Sequence, residues 1–352
     1  MQQDPERILI IRFSSVGDIV LSSLLVRLLR YRFPQSEIEY LVKEEFADLV
    51  RYNPHLSRVL TFPNNGTFRD LHELRRKIRP GRYDLLVDIH DSLRSRYLCL
   101  GAPHAVRIRK RKIARFLLVK CKWNVYDRFG GAPSVAERYV ETVQHYGIRD
   151  DGKGLEVFVP TAARETVTAL LASSGKGPSD RLIGVCPAAK HWNKMWLEDR
   201  FAEAAADLSA EFSAGIVLLG SGEEEEARVK RIERQIHERN PATFVLNSAG
   251  KLSLAETAAM MDHCSVVLSN DSGLMHIAAA RKRNVVAIFG PTVRELGFYP
   301  FGTRSTVVEQ DGLSCRPCTH IGLPVCPKRH FKCMNDLPVS RVVAAARELF
   351  AG

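Results

Sequence analysis

The stretch ILIIRFSSVGDIVLSSLLVRLLR, Ile8 to Arg30, decides the fold of the first half of the chain. Its unbroken apolar run reads as a strand buried on both faces, a polar turn around Gly17 follows, and apolar residues then recur at helical spacing. Strand, tight turn and helix open a parallel α/β sheet, and in many such proteins the turn holds a phosphate. Here an acid, Asp18, sits at the helix mouth. The turn has one glycine instead of the three of G-x-G-x-x-G, and no Walker-type lysine follows, so no dinucleotide site is expected. Two readings of Asp18 stand side by side. It is a helix cap, favoured by about 0.3–1 kcal/mol through the helix dipole, or it is a general base at a strand's C-terminal end, where α/β sites lie.

Working outward, strand-like runs alternate with helical stretches: IEYLV then EEFADLVRYN, and DLLVDIH then SLRSRYLCL. The pattern restarts with LIGVCPA, GIVLLG, TFVLNSAG, SVVLSND and VVAIFGP, spaced by helix-length segments such as LEDRFAEAAADLSAEF. This predicts two doubly wound α/β domains, residues 1–172 and 181–334, joined through the Gly/Ser/Pro stretch Ser173–Asp180, with a terminal helix over 335–352. A site is expected where strand C-termini and helix N-termini of both domains converge.

The second domain offers three loops of interest. In VVLSNDSGLMHIAAA, Ser272 and Gly273 open a helix with little bulk, so that their amides can approach a diphosphate. Asp271 is placed to hold sugar hydroxyls, and His276 lies one turn on. The loop PAAKHWNKMWLEDRF carries Lys190 and Lys194 near a helix start, where a lysine neutralises a leaving phosphate. GSGEEEEARVKRI pairs a turn with acids able to accept from ribose hydroxyls, although an acid run at a helix N-terminus is also simply stabilising.

The 352 residues carry 51 Lys and Arg against 40 Asp and Glu, a formal charge of +11 that points to an anionic partner. The densest basic block is RIRKRKIARFLLVKCKW, Arg107–Trp123, and no nucleic-acid-binding signature accompanies it. Apolar runs are far shorter than the ~20 residues of a membrane helix, and no basic leader precedes the first strand, so a cytoplasmic protein is expected. Four of the eight cysteines, Cys315, Cys318, Cys326 and Cys333, crowd one segment with His320 and His330. In a reducing compartment this spacing suggests a structural Zn or Fe site, against the alternative of reduced thiols packed on the core.

Taken together, RFSSVGDIVLS, the K-x-W loop and LSNDSGLMHIAAA followed by VVAIFGPT resemble the heptosyltransferase family, the ADP-heptose:lipopolysaccharide glycosyltransferases, over nearly the whole chain. The resemblance implies a GT-B fold, two Rossmann-like domains facing a central cleft, with the C-terminal helix returning toward the first. It implies an inverting transfer that needs no cofactor, from ADP-heptose to an anionic lipopolysaccharide inner-core sugar. Contact with the inner membrane is peripheral, and no nucleic acid is involved. Asp18 falls on the family's S-x-G-D acid and is the implied base, with Ser15, Gly17, Arg109, Lys110 and Arg111 toward the acceptor. Lys194 falls on the K-x-W-P lysine, although Leu197 replaces the proline and Lys190 heads a competing K-x-W. Glu226, Asp271, Ser272, Gly273, Leu274 and His276 complete the implied donor site. Another nucleotide sugar or acceptor, a sugar-nucleotide epimerase, and a non-catalytic binder of anionic lipid or nucleic acid are the alternatives.

Overall fold

The computed structural model describes residues 4–129, 131–177, 180–220 and 223–351. Pro178 and Ser179 of the expected linker, and Ser221 and Gly222 of the acid-rich loop, lie outside the described residues. Two parallel sheets account for the alternating pattern. The first holds β1 (Arg7–Ile11), β2 (Glu37–Lys43), β3 (Arg58–Phe62), β4 (Leu85–Asp88) and β5 (Ala105–Arg107) in the order β3-β2-β1-β4-β5. The second holds β6 (Leu182–Cys186), β7 (Gly215–Leu218), β8 (Val245–Asn247), β9 (Cys264–Asn270), β10 (Asn284–Phe289) and β11 (Ser305–Glu309) in the order β11-β10-β9-β6-β7-β8.

Both sheets are covered on both faces, which is why their central strands are apolar without alternation. In β1, Leu9 and Ile11 join Leu71, Leu74 and Ile78 of the helix Phe68–Ile78 in one core. In the second sheet, Ile183, Val185, Val266 and Leu268 meet Phe201 and Leu208 of the helix Glu198–Phe212. The same core takes in Val342 and Leu349 of the terminal helix Val339–Phe350.

The chain divides into two compact units, but not at residue 172. The first comprises the residues up to Lys110 together with Val135–Phe158; the second comprises Arg111–Ser134 and everything from Val159 onward. A buried arginine explains the return to the first unit. Arg27, fully enclosed in the helix Ser23–Arg32, makes a two-pronged bond to Asp151 (2.9 and 2.7 Å), a bond to the Gly154 carbonyl (2.8 Å) and an ion pair with Glu156 (3.0 Å). Leaving such a charge unpaired would cost about 3–5 kcal/mol, so the segment around residues 151–156 is fixed to this unit. Arg111–Ser134 goes with the second unit because Ala114, Leu118 and Tyr126 form a small core with Leu296. The terminal helix packs on Glu198–Phe212 and on β9, β10 and β11. It therefore belongs to the second unit.

In each sheet the strand order reverses at one place: between β1 and β4 in the first, and between β6 and β9 in the second. Crossovers leave such a switch point in opposite directions, so a crevice opens beyond the strands' C-terminal ends. The loops there are 12–15 and 89–92 in the first unit, and 187–197 and 271–273 in the second.

Candidate active site

At the first switch point the carboxylate of Asp18 is the centre of a built cluster. Its Oδ2 meets Arg12 Nη2 at 2.6 Å and accepts from the Ser15 amide (3.4 Å) and hydroxyl (3.2 Å), while Oδ1 accepts from the Tyr139 hydroxyl at 3.1 Å. Arg12 also donates through Nη1 to the Ile89 carbonyl at 2.8 Å, tying the ends of β1 and β4 together. Burial by itself would raise the Asp18 carboxyl, but Arg12, with the bonds from Ser15 and Tyr139, holds it below the ordinary carboxylate range. The group is therefore an ionised carboxylate oriented from both oxygens, and it is the N3 member of the capping box whose N-cap, Ser15, opens the helix Val16–Leu21. Gly17 is buried behind it. His90, at the end of β4, packs edge-on against Phe13 with centroids 5.4 Å apart. Burial, with Arg12 and Lys110 nearby, pushes its imidazole down to about 4, so it is neutral at physiological pH.

At the second switch point Lys194 and Asp271 form a buried ion pair, Nζ to Oδ2 at 2.6 Å. Thr292 donates to the same oxygen at 2.7 Å. Asn270 sets the geometry. Its side chain donates to the Pro187 carbonyl (2.8 Å) and accepts from the Trp196 amide (3.0 Å), pinning both ends of the lysine loop to the end of β9. Asn193 braces the loop from the other side through the Leu323 amide at 2.8 Å. Ser272 is the N-cap of the helix Gly273–Ala280, whose open amides and dipole favour an anion beside the lysine.

The expected site residues thus separate. Asp18, Ser15 and Gly17 gather in the first unit; Lys194, Asp271, Ser272 and Gly273 gather in the second, with Leu274 half-buried on the same helix. Lys190 is exposed and outside this ion-pair cluster. Asp271, expected to hold sugar hydroxyls, is engaged through Oδ2 by Lys194 and Thr292. His276 is buried in the body of its helix. Glu226 lies against Gly250, where a Cβ would overlap its carboxylate, and the φ of that glycine is +70°. The residues of the basic triplet differ in their surroundings. Lys110 donates to the His90 and Asp91 carbonyls (2.7 and 2.9 Å), and Arg111, in the other unit, donates to the Gly131 carbonyl at 2.7 Å. Only Arg109 is exposed.

The cysteine segment also differs from expectation. Among the described residues no group of three or more His, Cys, Asp or Glu side chains is arranged to hold a metal, so the proposed Zn or Fe site is not supported. All four thiols are free, Cys333 is buried beside Met334 in the second core, and burial pushes its thiol up to about 12. Packing in a core, not coordination, accounts for it.

Arg12, Tyr139, His90 and Thr292 escaped the sequence reading. Arg12 had one usable signal, a charge placed directly at the C-terminal end of an otherwise apolar strand. Tyr139 had none, since 121 residues separate it from Asp18.

Comparison with known proteins identifies the family of the chain. The profile of glycosyltransferase family 9 (heptosyltransferase) matches residues 71–327. Lipopolysaccharide heptosyltransferase 2 of Salmonella typhimurium is 30% identical over 294 residues, 81% of this chain and 83% of that protein. Among solved structures, a family 9 glycosyl transferase from Veillonella parvula superposes with a TM-score of 0.81 at 21% identity, covering 98% of this chain and 97% of that one. The E. coli ADP-heptose LPS heptosyltransferase II superposes with a TM-score of 0.72 at 23% identity, covering 98% of each chain. The fold is GT-B, and the chain belongs to glycosyltransferase family 9, the heptosyltransferases.

Proposed function

We propose that this glycosyltransferase moves a heptose from ADP-heptose to a sugar of the anionic lipopolysaccharide inner core, with inversion at the anomeric carbon. The observation that carries this reading is the division of charge between the switch points. One presents an ionised carboxylate whose counter-ion is Arg12; the other presents a lysine and a helix N-terminus.

The acceptor hydroxyl oxygen bonds to the anomeric carbon as the bond from that carbon to the diphosphate breaks, and the hydroxyl proton passes to Asp18. Oδ2 already accepts three contacts and Oδ1 only one, so Oδ1 has the spare lone pair. A carboxylate is a weak base for an alcohol, but the hydroxyl acidifies as its new bond forms, so a late transfer suffices. ADP leaves with its diphosphate charge met by Lys194 and the Ser272 and Gly273 amides, the work a divalent metal does elsewhere. Glu226 faces the ribose. The acceptor is held by the first unit, with Arg109 its free cation, and the enzyme works peripherally at the cytoplasmic face of the inner membrane.

Incubation with ADP-heptose and truncated lipopolysaccharide cores, read by product mass, tests the reading; transfer from a different nucleotide sugar, or none, overturns it. Asp18→Asn keeps size and some capping ability. It should lose on the order of 10²–10⁴ in turnover at saturating substrates, with the ADP-heptose dissociation constant unchanged. Turnover within about threefold of the parent would reduce Asp18 to a cap.

A further inference from the structure

The segment Arg111–Ser134 has a second face that the transfer reaction does not use. The helix Lys112–Phe116 and the wider turn Leu117–Cys121 bury Ala114 and Leu118 against Tyr126 and Leu296. On the opposite side Ile113 is 74%, Phe116 58% and Trp123 66% exposed. Ile113 and Phe116, three apart on the helix Lys112–Phe116, share one exposed stripe; the exposed Lys120 lies in the wider turn that continues it, and Trp123 follows directly after the left-handed Lys122. Lys112, beside the stripe, is also exposed, and among the described residues neither lysine is paired with an acid. Asp127 is the sole acid between Arg107 and Arg128, against nine lysines and arginines.

A single exposed apolar side chain needs no explanation, but three close in sequence among cations do. Lys122 holds this face in place, donating to the Val119, Cys315 and Pro317 carbonyls (3.0, 3.0 and 2.5 Å). The loop it fastens exposes two more apolar residues, Ile321 and Val325. Among the described residues no helix is long and apolar enough to cross a membrane. Pairing with a second copy through the same face would set lysine against lysine. An anionic bilayer satisfies both halves of the stripe: headgroups take the ammonium groups, the apolar tips reach the acyl boundary, and tryptophan favours that depth.

We propose that Ile113, Phe116 and Trp123, flanked by Lys112 and Lys120, dock the second unit on an anionic phospholipid bilayer. The proposal rests on the functional reading only for the presence of a membrane, and it holds whichever sugar is transferred.

Flotation of the full chain with vesicles of phosphatidylglycerol and phosphatidylcholine, against phosphatidylcholine alone, tests it without donor or acceptor. The parent should float with the anionic vesicles, lose binding at high salt, and show tryptophan quenching by brominated lipid. Lys112→Gln with Lys120→Gln should weaken binding by roughly fivefold per charge. Ile113→Ser with Phe116→Ser and Trp123→Ser should weaken it about tenfold or more, while heptosyl transfer to a deacylated, soluble core is kept as evidence of folding. Undiminished flotation of the triple variant, or an unquenched Trp123, overturns the proposal. So does a parent dimer that the triple variant dissociates, which would assign the stripe to a second copy. Absence of transfer in every protein, with flotation intact, refutes the functional reading and leaves the docking face standing.

Discussion

Replacing Arg12 by methionine separates the two roles of Asp18. The substitution keeps the length and apolar stem of the side chain but removes the 2.6 Å ion pair and the 2.8 Å bond to the Ile89 carbonyl. With the two side chains only 11% and 19% exposed, solvent replaces little of what is lost. Stranding one partner of a buried pair costs about 3–5 kcal/mol; Tyr139 and Ser15 still hold the carboxylate, so the lower end, about 3 kcal/mol, is expected for unfolding of the first unit in urea. The pH dependence carries more information. In the parent, Arg12 holds the folded pKa of Asp18 below its unfolded value. That contribution is present above the unfolded pKa and is lost as pH falls through the folded one. Without Arg12, burial raises the carboxyl, and the sign reverses: this group then favours the folded state at acid pH and loses that contribution as pH rises through the folded pKa. Difference titration of Arg12→Met against Arg12→Met with Asp18→Asn isolates the group. The acid limb of kcat should also move upward in Arg12→Met, because the base must be ionised to act. An acid limb that stays where the parent has it would mean that Asp18 is not the titrating base. Stability that still falls on acidification in the difference titration would mean that Arg12 does not set its charge.

Two further outcomes follow from the second unit. Lys194→Met should lower turnover by on the order of 10²–10³, the loss typical of a donor that meets transition-state charge, with weaker ADP binding by titration calorimetry; equal losses for Lys190→Met would refute the choice between the two lysines. Gly250→Ala should destabilise the second unit by about 1–3 kcal/mol in thermal unfolding, since its φ is +70° and a Cβ would overlap the Glu226 carboxylate. Adding Glu226→Ala should restore part of that loss, and no restoration would mean that the backbone conformation alone is responsible.

Much of this architecture was legible in the sequence because fully covered parallel strands must be apolar along their whole length. That signal fails at the edges. β3, β5 and β11 carry RVLTF, AVR and STVVE, where one side lacks a neighbour and the apolar run shortens. The division of the chain was hidden for a different reason. The period of a helix says that one face is buried but not against which sheet, so Lys112–Phe116 reads the same on either unit. The basic block was legible as an exposed, charged surface, whereas the seating of Ala114 and Leu118 on Leu296 depends on residues nearly 180 positions apart in sequence. Lys190 and Lys194 show the same limit at the site. Both head a K-x-W, and only the bonds from Asn270 to Pro187 and Trp196, across the switch point, turn one of them inward.

The two clusters follow one electrostatic rule: each working charge is held by a counter-ion that leaves part of its bonding capacity open. An ammonium has three donors, and Asp271 takes one, so two remain for a diphosphate. The pair thus engages Lys194 without using up its bonding capacity. Asp18 is the mirror case, with Arg12 and Ser15 crowded on Oδ2 while Oδ1 is met by Tyr139 alone. A pair closed on both sides would be inert, and an unpaired buried carboxylate would take up a proton and cease to be a base. Partial pairing leaves both groups still able to bond, and it is this property, more than the presence of an acid and a lysine at the right spacing, that the two switch points supply.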